Sequence, residues 1–170
     1  KIMLDFIKSD KGDLTFSMTV STSRKIDIYW NDIESELRSN YQCKQLVFID
    51  PIVLSFFPEL VNLELISPNL VIVPTNIGEK EKDIDTLLSI LSVLEQEGVG
   101  RRTDKIYVVG GGVLIDVVSF ACSIFRRGVY LTKVPTTLLA FIDASIGIKS
   151  GINFLGQRNR LGSYNARFNV

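Results

Sequence analysis

DKIYVVGGGVLIDVVSFACSIF, residues 104–125, decides the fold. An apolar, β-branched run stops at three glycines, and a longer apolar run follows that carries one carboxylate, Asp116. The first run has the length and composition of a strand, the second those of a helix buried almost all round. Strand, glycine turn and buried helix together make the repeating unit of a parallel α/β sheet. Glycine is costly in regular structure, so Gly110, Gly111 and Gly112 raise the question of what comes close to this backbone. Two readings stand. One is a tight turn and nothing more. In the other, the turn lies beyond the carboxyl end of the strand, where a pyrophosphate meets backbone N–H groups at the positive end of the helix. The pattern is not GxGxxG, and it sits on the third strand of the alternating set, not the first. Asp116, one turn into the helix, either complements the helix dipole or points into a cleft and accepts hydrogen bonds from a ligand's hydroxyls.

The same alternation extends outward. KQLVFID (44–50), NLVIVP (69–74) and VYLTKVP (129–135) read as further strands. Between them, 51–60 reads as a short helix begun by Pro51. Lys82 to Glu97 places Ile84, Leu87, Leu88, Leu91 and Leu94 at helical spacing before Gly98, a C-terminal glycine cap. NDIESELRSN (31–40) is a helix with Asn31 as N-cap. Toward the N-terminus, LTFSMTV (14–20) and KIDIYW (25–30) predict a hairpin. The expected architecture is α/β: a Rossmann-like, doubly wound parallel sheet with flanking helices and an N-terminal β-hairpin, one domain over residues 1–170.

A chain of 170 residues with 46% hydrophobic content suits a globular domain with a real core. Lys plus Arg equals Asp plus Glu at 19 each, so charge gives no warrant for a nucleic-acid or membrane partner. No run approaches membrane-spanning length and no signal peptide opens the sequence. With only Cys43 and Cys122, a reducing cytoplasm is the expected location. Histidine is absent, so no Ser/His triad and no His-ligated metal arises within this chain.

KVPTTLLAFIDASIGIKSGINFLGQRNRLGSY (133–164) places two threonines at a strand end. Asp143, Lys149, Asn153, Arg158 and Asn159 follow, dispersed among small residues, a spacing that suits a site wall of cations and hydroxyl-binding groups. GGGVLID (110–116), RRG (126–128), VPTTLLAFIDASIGIKSGIN (134–153) and RNRLGSY (158–164), with IGEKEK (77–82), resemble the sugar-phosphate cyclases, the family of 3-dehydroquinate synthase. The resemblance implies an N-terminal NAD-binding α/β domain, here residues 1–170, and a C-terminal helical, metal-binding domain outside this chain. It implies NAD contacts from Asp50, Glu79, Lys82, Gly111, Gly112, Val113, Asp116, Thr136, Thr137, Lys149 and Arg158. It also implies catalytic roles for Asp143, Lys149 and Asn159. Arg127 matches an arginine that reaches a neighbouring subunit's site, or else is a cation at a helix C-terminus.

The implied chemistry is a lyase reaction on a phosphorylated sugar by a homodimer that uses NAD and a divalent metal, zinc or cobalt. The chain taken by itself is expected to be inactive. GGGVLIDVVSF, DASIGIKSG and RNRLGSY stand closer to cyclases acting on sedoheptulose 7-phosphate, which yield valiolone-type products, than to 3-dehydroquinate synthase, the alternative. Departures from the family pattern are Arg158 for a usual lysine, Ser150 for threonine, and Ile52 where asparagine often follows the aspartate. Two other classes are weighed. Metal-dependent alcohol or glycerol dehydrogenases share a GGG turn but lack the tandem threonines and DASIGIKSG, and a non-catalytic interaction domain is the third reading.

Overall fold

The computed structural model describes residues 2–8, 14–20, 33–40, 42–164 and 168–169. Strands β1 (Ile2–Lys8) and β2 (Leu14–Val20) pair antiparallel, with Ile2 opposite Val20 and Lys8 opposite Leu14. This hairpin is not the one expected from sequence: the arm paired with 14–20 precedes it. Residues 25–30, expected to supply that arm, and the cap Asn31 lie outside the described residues.

After α1 (Ile33–Ser39), every residue of β3 (Gln45–Ile49) is buried, as a strand covered on both faces requires. Asp50 accepts from Ile52 N at 2.8 Å and caps α2 (Pro51–Phe56). The helix expected over 51–60 is broken at Phe57, because the residue before a proline is held out of helical geometry. A second helix, α3 (Glu59–Ile66), starts beyond Pro58. Then come β4 (Leu70–Pro74), α4 (Ile84–Gln96), β5 (Lys105–Gly110), α5 (Gly112–Ile124) and β6 (Leu131–Pro135). Gly98 ends α4 with φ +60, and the next residue, Val99, donates back to Leu94 O at 3.1 Å.

Period-2 alternation sorts the strands' side chains onto two faces. Leu46, Phe48, Ile106 and Val108 pack with α4 and α5; Val47, Ile49, Tyr107 and Val109 pack with Leu37 of α1 and Leu60 and Leu63 of α3. The sheet is parallel with order β4-β3-β5-β6-β9, where β9 is Phe168–Asn169. Because β4 lies on one side of β3 and β5 on the other, the strand order reverses between β3 and β5. In a doubly wound sheet that reversal opens the ligand crevice. Although it follows the third strand of the set, the glycine turn therefore stands at the switch point.

After β6 the chain forms α6 (Leu138–Ala140), which widens into a π-turn over Phe141–Ser145. Most of the segment read as a site wall folds as an antiparallel hairpin, β7 (Lys149–Phe154) and β8 (Gln157–Tyr164). Leu155 and Gly156, with φ 48 and 73, make its two-residue turn. Ile152 buries fully in the α5 core, and Ser163 Oγ donates to Ser123 Oγ at 2.6 Å, which pins the hairpin on α5. Gly151 and Gly162 let its strands approach closely: a Cβ at 162 would lie 2.3 Å from Ser150 O. Gly162→Ala is expected to lower stability by roughly 2 kcal/mol, since backbone must move to admit the methyl. Urea unfolding that gives less than 0.5 kcal/mol, about the scatter of surface substitutions, would contradict it.

Candidate functional site

Between the glycine turn, the π-turn and the β7–β8 hairpin lies a cleft of about 810 Å³. Of the residues singled out from sequence, Glu79, Lys82, Gly112, Val113, Asp116, Asp143, Lys149 and Asn159 all line it. They come from five separate stretches of chain, brought together by the switch point and by the hairpin folding over α5.

The floor is the N-terminus of α5. Gly111 is its N-cap, so no side chain covers the first-turn N–H groups, which have no intrahelical partner. Gly111 has φ −79 and ψ 174, open to any residue. A Cβ at 111 would lie 3.9 Å from Thr137 Cγ2, and one at 112 would lie 3.7 Å from Ala144 Cβ. Both are ordinary contacts. Of the three, only position 110 is crowded: a Cβ there would come 2.7 Å from Leu114 Cδ2, so that leucine's side chain would have to shift. The fold itself therefore has no need of the glycines at 111 and 112.

Polar groups converge on one wall. Lys82, 4% exposed, donates through Nζ to Asp116 Oδ2 at 2.7 Å and to Asn159 Oδ1 at 2.8 Å. The Asp116 carboxylate thus faces the cleft but is held by a lysine, which the dipole-only reading does not require. Burial pushes its pKa up; Lys82 and then Lys133 pull the other way, and Asp143 adds to the rise. Glu79 accepts from Asn153 Nδ2 at 3.0 Å and lies 3.6 Å from Arg158 Nε. Arg158 itself is at the rim, with its side chain 79% exposed.

Other residues singled out from sequence lie outside the lining. Thr137 caps α6 through its hydroxyl at 3.2 Å from Ala140 N, beside Gly111. Thr136 N donates to Gly110 O at 3.0 Å, which ties the threonine pair to the glycine turn. Asp50 sits behind Gly110, one oxygen engaged as the α2 cap. Arg127 is not brought to this cleft: it lies past the opposite end of α5, about 20 Å away for a helix of that length, in left-handed backbone with φ 63.

Lys133 escaped the sequence reading. Its side chain is 2% exposed, and Nζ donates to Ala144 O at 2.9 Å and Gly147 O at 3.0 Å. It thereby holds the π-turn that carries Asp143 into the cleft. Burial lowers its pKa to about 8, against the pull of Asp116. The available signal was a lysine inside the apolar strand LTKVP.

The 3-dehydroquinate synthase N-terminal family model matches residues 72–170. A 2-epi-5-epi-valiolone synthase of Actinoplanes sp. is 48% identical over 88 residues, which is 52% of this chain and 22% of that protein. A 3-dehydroquinate synthase of Sulfolobus acidocaldarius is 34% identical over 155 residues, 89% of this chain and 41% of that protein. Among solved structures, a 2-epi-5-epi-valiolone synthase from Streptomyces hygroscopicus with NAD+ and Zn2+ bound superposes with a TM-score of 0.75 at 28% identity. That match covers 89% of this chain and 44% of the solved one. The chain thus spans less than half the length of each of these relatives. The family model covers more than half of the chain, and its matched region holds the whole cleft lining; the chain belongs to the 3-dehydroquinate synthase family, whose N-terminal portion it matches.

Proposed function

We propose that this chain is the NAD-binding part of a sugar-phosphate cyclase. The observation that carries the reading is the uncapped N-terminus of α5, faced by glycines that the fold does not require. Backbone N–H groups there suit the pyrophosphate of a dinucleotide. Gly112, Val113 and the neighbouring Gly111, Thr136 and Thr137 would receive it; Glu79, Lys82 and Asp116 would meet its ribose hydroxyls. NAD, when bound, supplies reversible removal and return of hydride at a carbon bearing a hydroxyl.

Toward the substrate, Lys149 and Arg158 place cations where a phosphate and a developing oxyanion need neutralising. Asp143 and Asn159 orient sugar hydroxyls. Burial makes the Asp116 carboxylate costlier to ionise and Lys82 offsets that cost, so it serves as an acceptor for hydroxyls. The net change is loss of phosphate from a phosphorylated ketose and closure of a carbocycle. We take sedoheptulose 7-phosphate as the substrate, on DASIGIKSG and RNRLGSY; the substrate of 3-dehydroquinate synthase is the alternative.

This sequence has no histidine, and the described residues gather no group of three or more His, Cys, Asp or Glu. A divalent metal's ligands do not come from those described residues. We propose that a helical part beyond this chain supplies those ligands, and that Arg127 acts at the site of a second copy in a homodimer.

The test is the double substitution Gly111→Ala, Gly112→Ala. Both methyls meet only ordinary contacts, so the melting temperature should hold. NAD affinity by titration calorimetry should fall at least tenfold, about 1.4 kcal/mol, because the methyls occupy the approach to the N–H groups. Unchanged affinity in a folded double variant sinks the proposal.

A further inference from the structure

We propose that Asn153, which does not itself line the cleft, is the positioning residue that fixes Asn159 and joins it to Glu79 and Lys82; the role rests on the dinucleotide reading above. Where the hairpin passes Asn153 its register slips. Ile152 faces Leu161, but Phe154 faces Gln157, so β8 carries extra residues opposite Asn153. Asn159 lies in that bulge with φ 51, left-handed backbone that a non-glycine residue adopts at a cost of about 1 kcal/mol unless it is held. The Asn153 carboxamide does the holding. Its Oδ1 accepts from Asn159 N at 2.9 Å, while its Nδ2 donates to Glu79 Oε1 at 3.0 Å and Glu79 O at 3.3 Å. Asn153 N donates to Lys82 O at 2.7 Å.

One side chain therefore ties β7, the bulge on β8 and the 79–82 turn together. Asn159, so placed, accepts from Lys82 Nζ, which in turn holds Asp116. Each member of this chain beyond Asn153 lines the cleft. The role needs an acceptor and a donor on one short side chain, and asparagine supplies both. Aspartate keeps the acceptor but, ionised, sets a second carboxylate against Glu79. Arg158, 3.6 Å from Glu79, and the Lys82–Asp116 pair are the other charges nearby. Protonated, an aspartic acid at 153 donates to Glu79 as the amide does.

The experiment uses the whole 170-residue chain with NAD as probe, titrated calorimetrically at pH 5 and pH 8 for wild type, N153A and N153D. Amide hydrogen exchange at Asn159, read by NMR, reports the geometry without any ligand. N153A is expected to bind NAD about tenfold more weakly at both pH values, in line with the loss of its paired hydrogen bonds, and to lose protection of the Asn159 amide. N153D should bind more weakly than wild type at pH 8 and recover only part of that loss at pH 5, where the carboxyl pair it forms with Glu79 begins to share a proton. General damage to the fold does not produce that pH dependence. If wild type takes up no NAD, the dinucleotide reading fails and this inference with it. If wild type binds but N153A binds within twofold and Asn159 stays protected, Asn153's role alone is overturned. N153D equally weak at both pH values also overturns it.

Discussion

Asp116→Ala is expected to destabilise the fold by about 3 kcal/mol, because it leaves the buried Lys82 ammonium without its charged partner. Lys82 has 5% of its side chain exposed, and its ammonium lies 2.7 Å from the Asp116 carboxylate. With that carboxylate gone, the neutral oxygen of Asn159 at 2.8 Å is left to compensate the buried charge. Asp116→Asn should cost less, since an amide oxygen still accepts from Nζ although the charge is lost. Combining Asp116→Ala with Lys82→Met should recover most of the stability, because the buried charge leaves together with its partner. Urea unfolding of the four proteins is the measurement. If Asp116→Ala falls within 0.5 kcal/mol of wild type, the pair is behaving as a surface ion pair. The same variants separate folding from binding: the double variant should be stable yet weak for NAD, since both proposed ribose contacts are gone.

That pair shows how far the sequence could be read. Strands 45–49, 70–74, 105–110 and 131–135 were legible because each is a short β-branched run bounded by turn residues. Lys82 and Asp116 were legible singly, through the family pattern, but their contact was not. They stand 34 residues apart, and the hydrogen bond to Asn159 spans 77. Such meetings depend on sheet order, and no local periodicity encodes that β5 pairs with β3 rather than β4. The β7–β8 hairpin was hidden for a different reason. Its turn has two left-handed residues, a geometry usually signalled by Asn-Gly or Asp-Gly, and here leucine occupies the first position. Pro58 gave a visible break in the 51–60 helix that amphipathic reading passed over. Lys133 looked like one polar position in a strand. Its importance comes from the Ala144 and Gly147 carbonyls above it, which belong to a turn with no regular period.

Lys133 also carries an expected pH effect. In the folded chain burial holds its pKa at about 8, below the ordinary lysine value of 10.5. Between these values the unfolded chain carries the proton more often than the native one, so stability should rise with pH across that window. Below pH 8 both states are protonated and the native state bears the full burden of a buried ammonium. The whole rise is at most about 3 kcal/mol. Lysine ionisations elsewhere overlap this range, so the test is a difference: Tm against pH from 7 to 10.5 for wild type and Lys133→Met. The wild-type curve should climb relative to the variant's as pH rises, since methionine fills the site but does not titrate. Asp116 opposes the shift, so in an Asp116→Ala background the climb should begin at lower pH. Parallel curves for wild type and Lys133→Met would mean that Lys133 titrates as it does in water. The ammonium would then have water within reach, and the Asp143 turn would be held by something other than the bonds to Ala144 and Gly147.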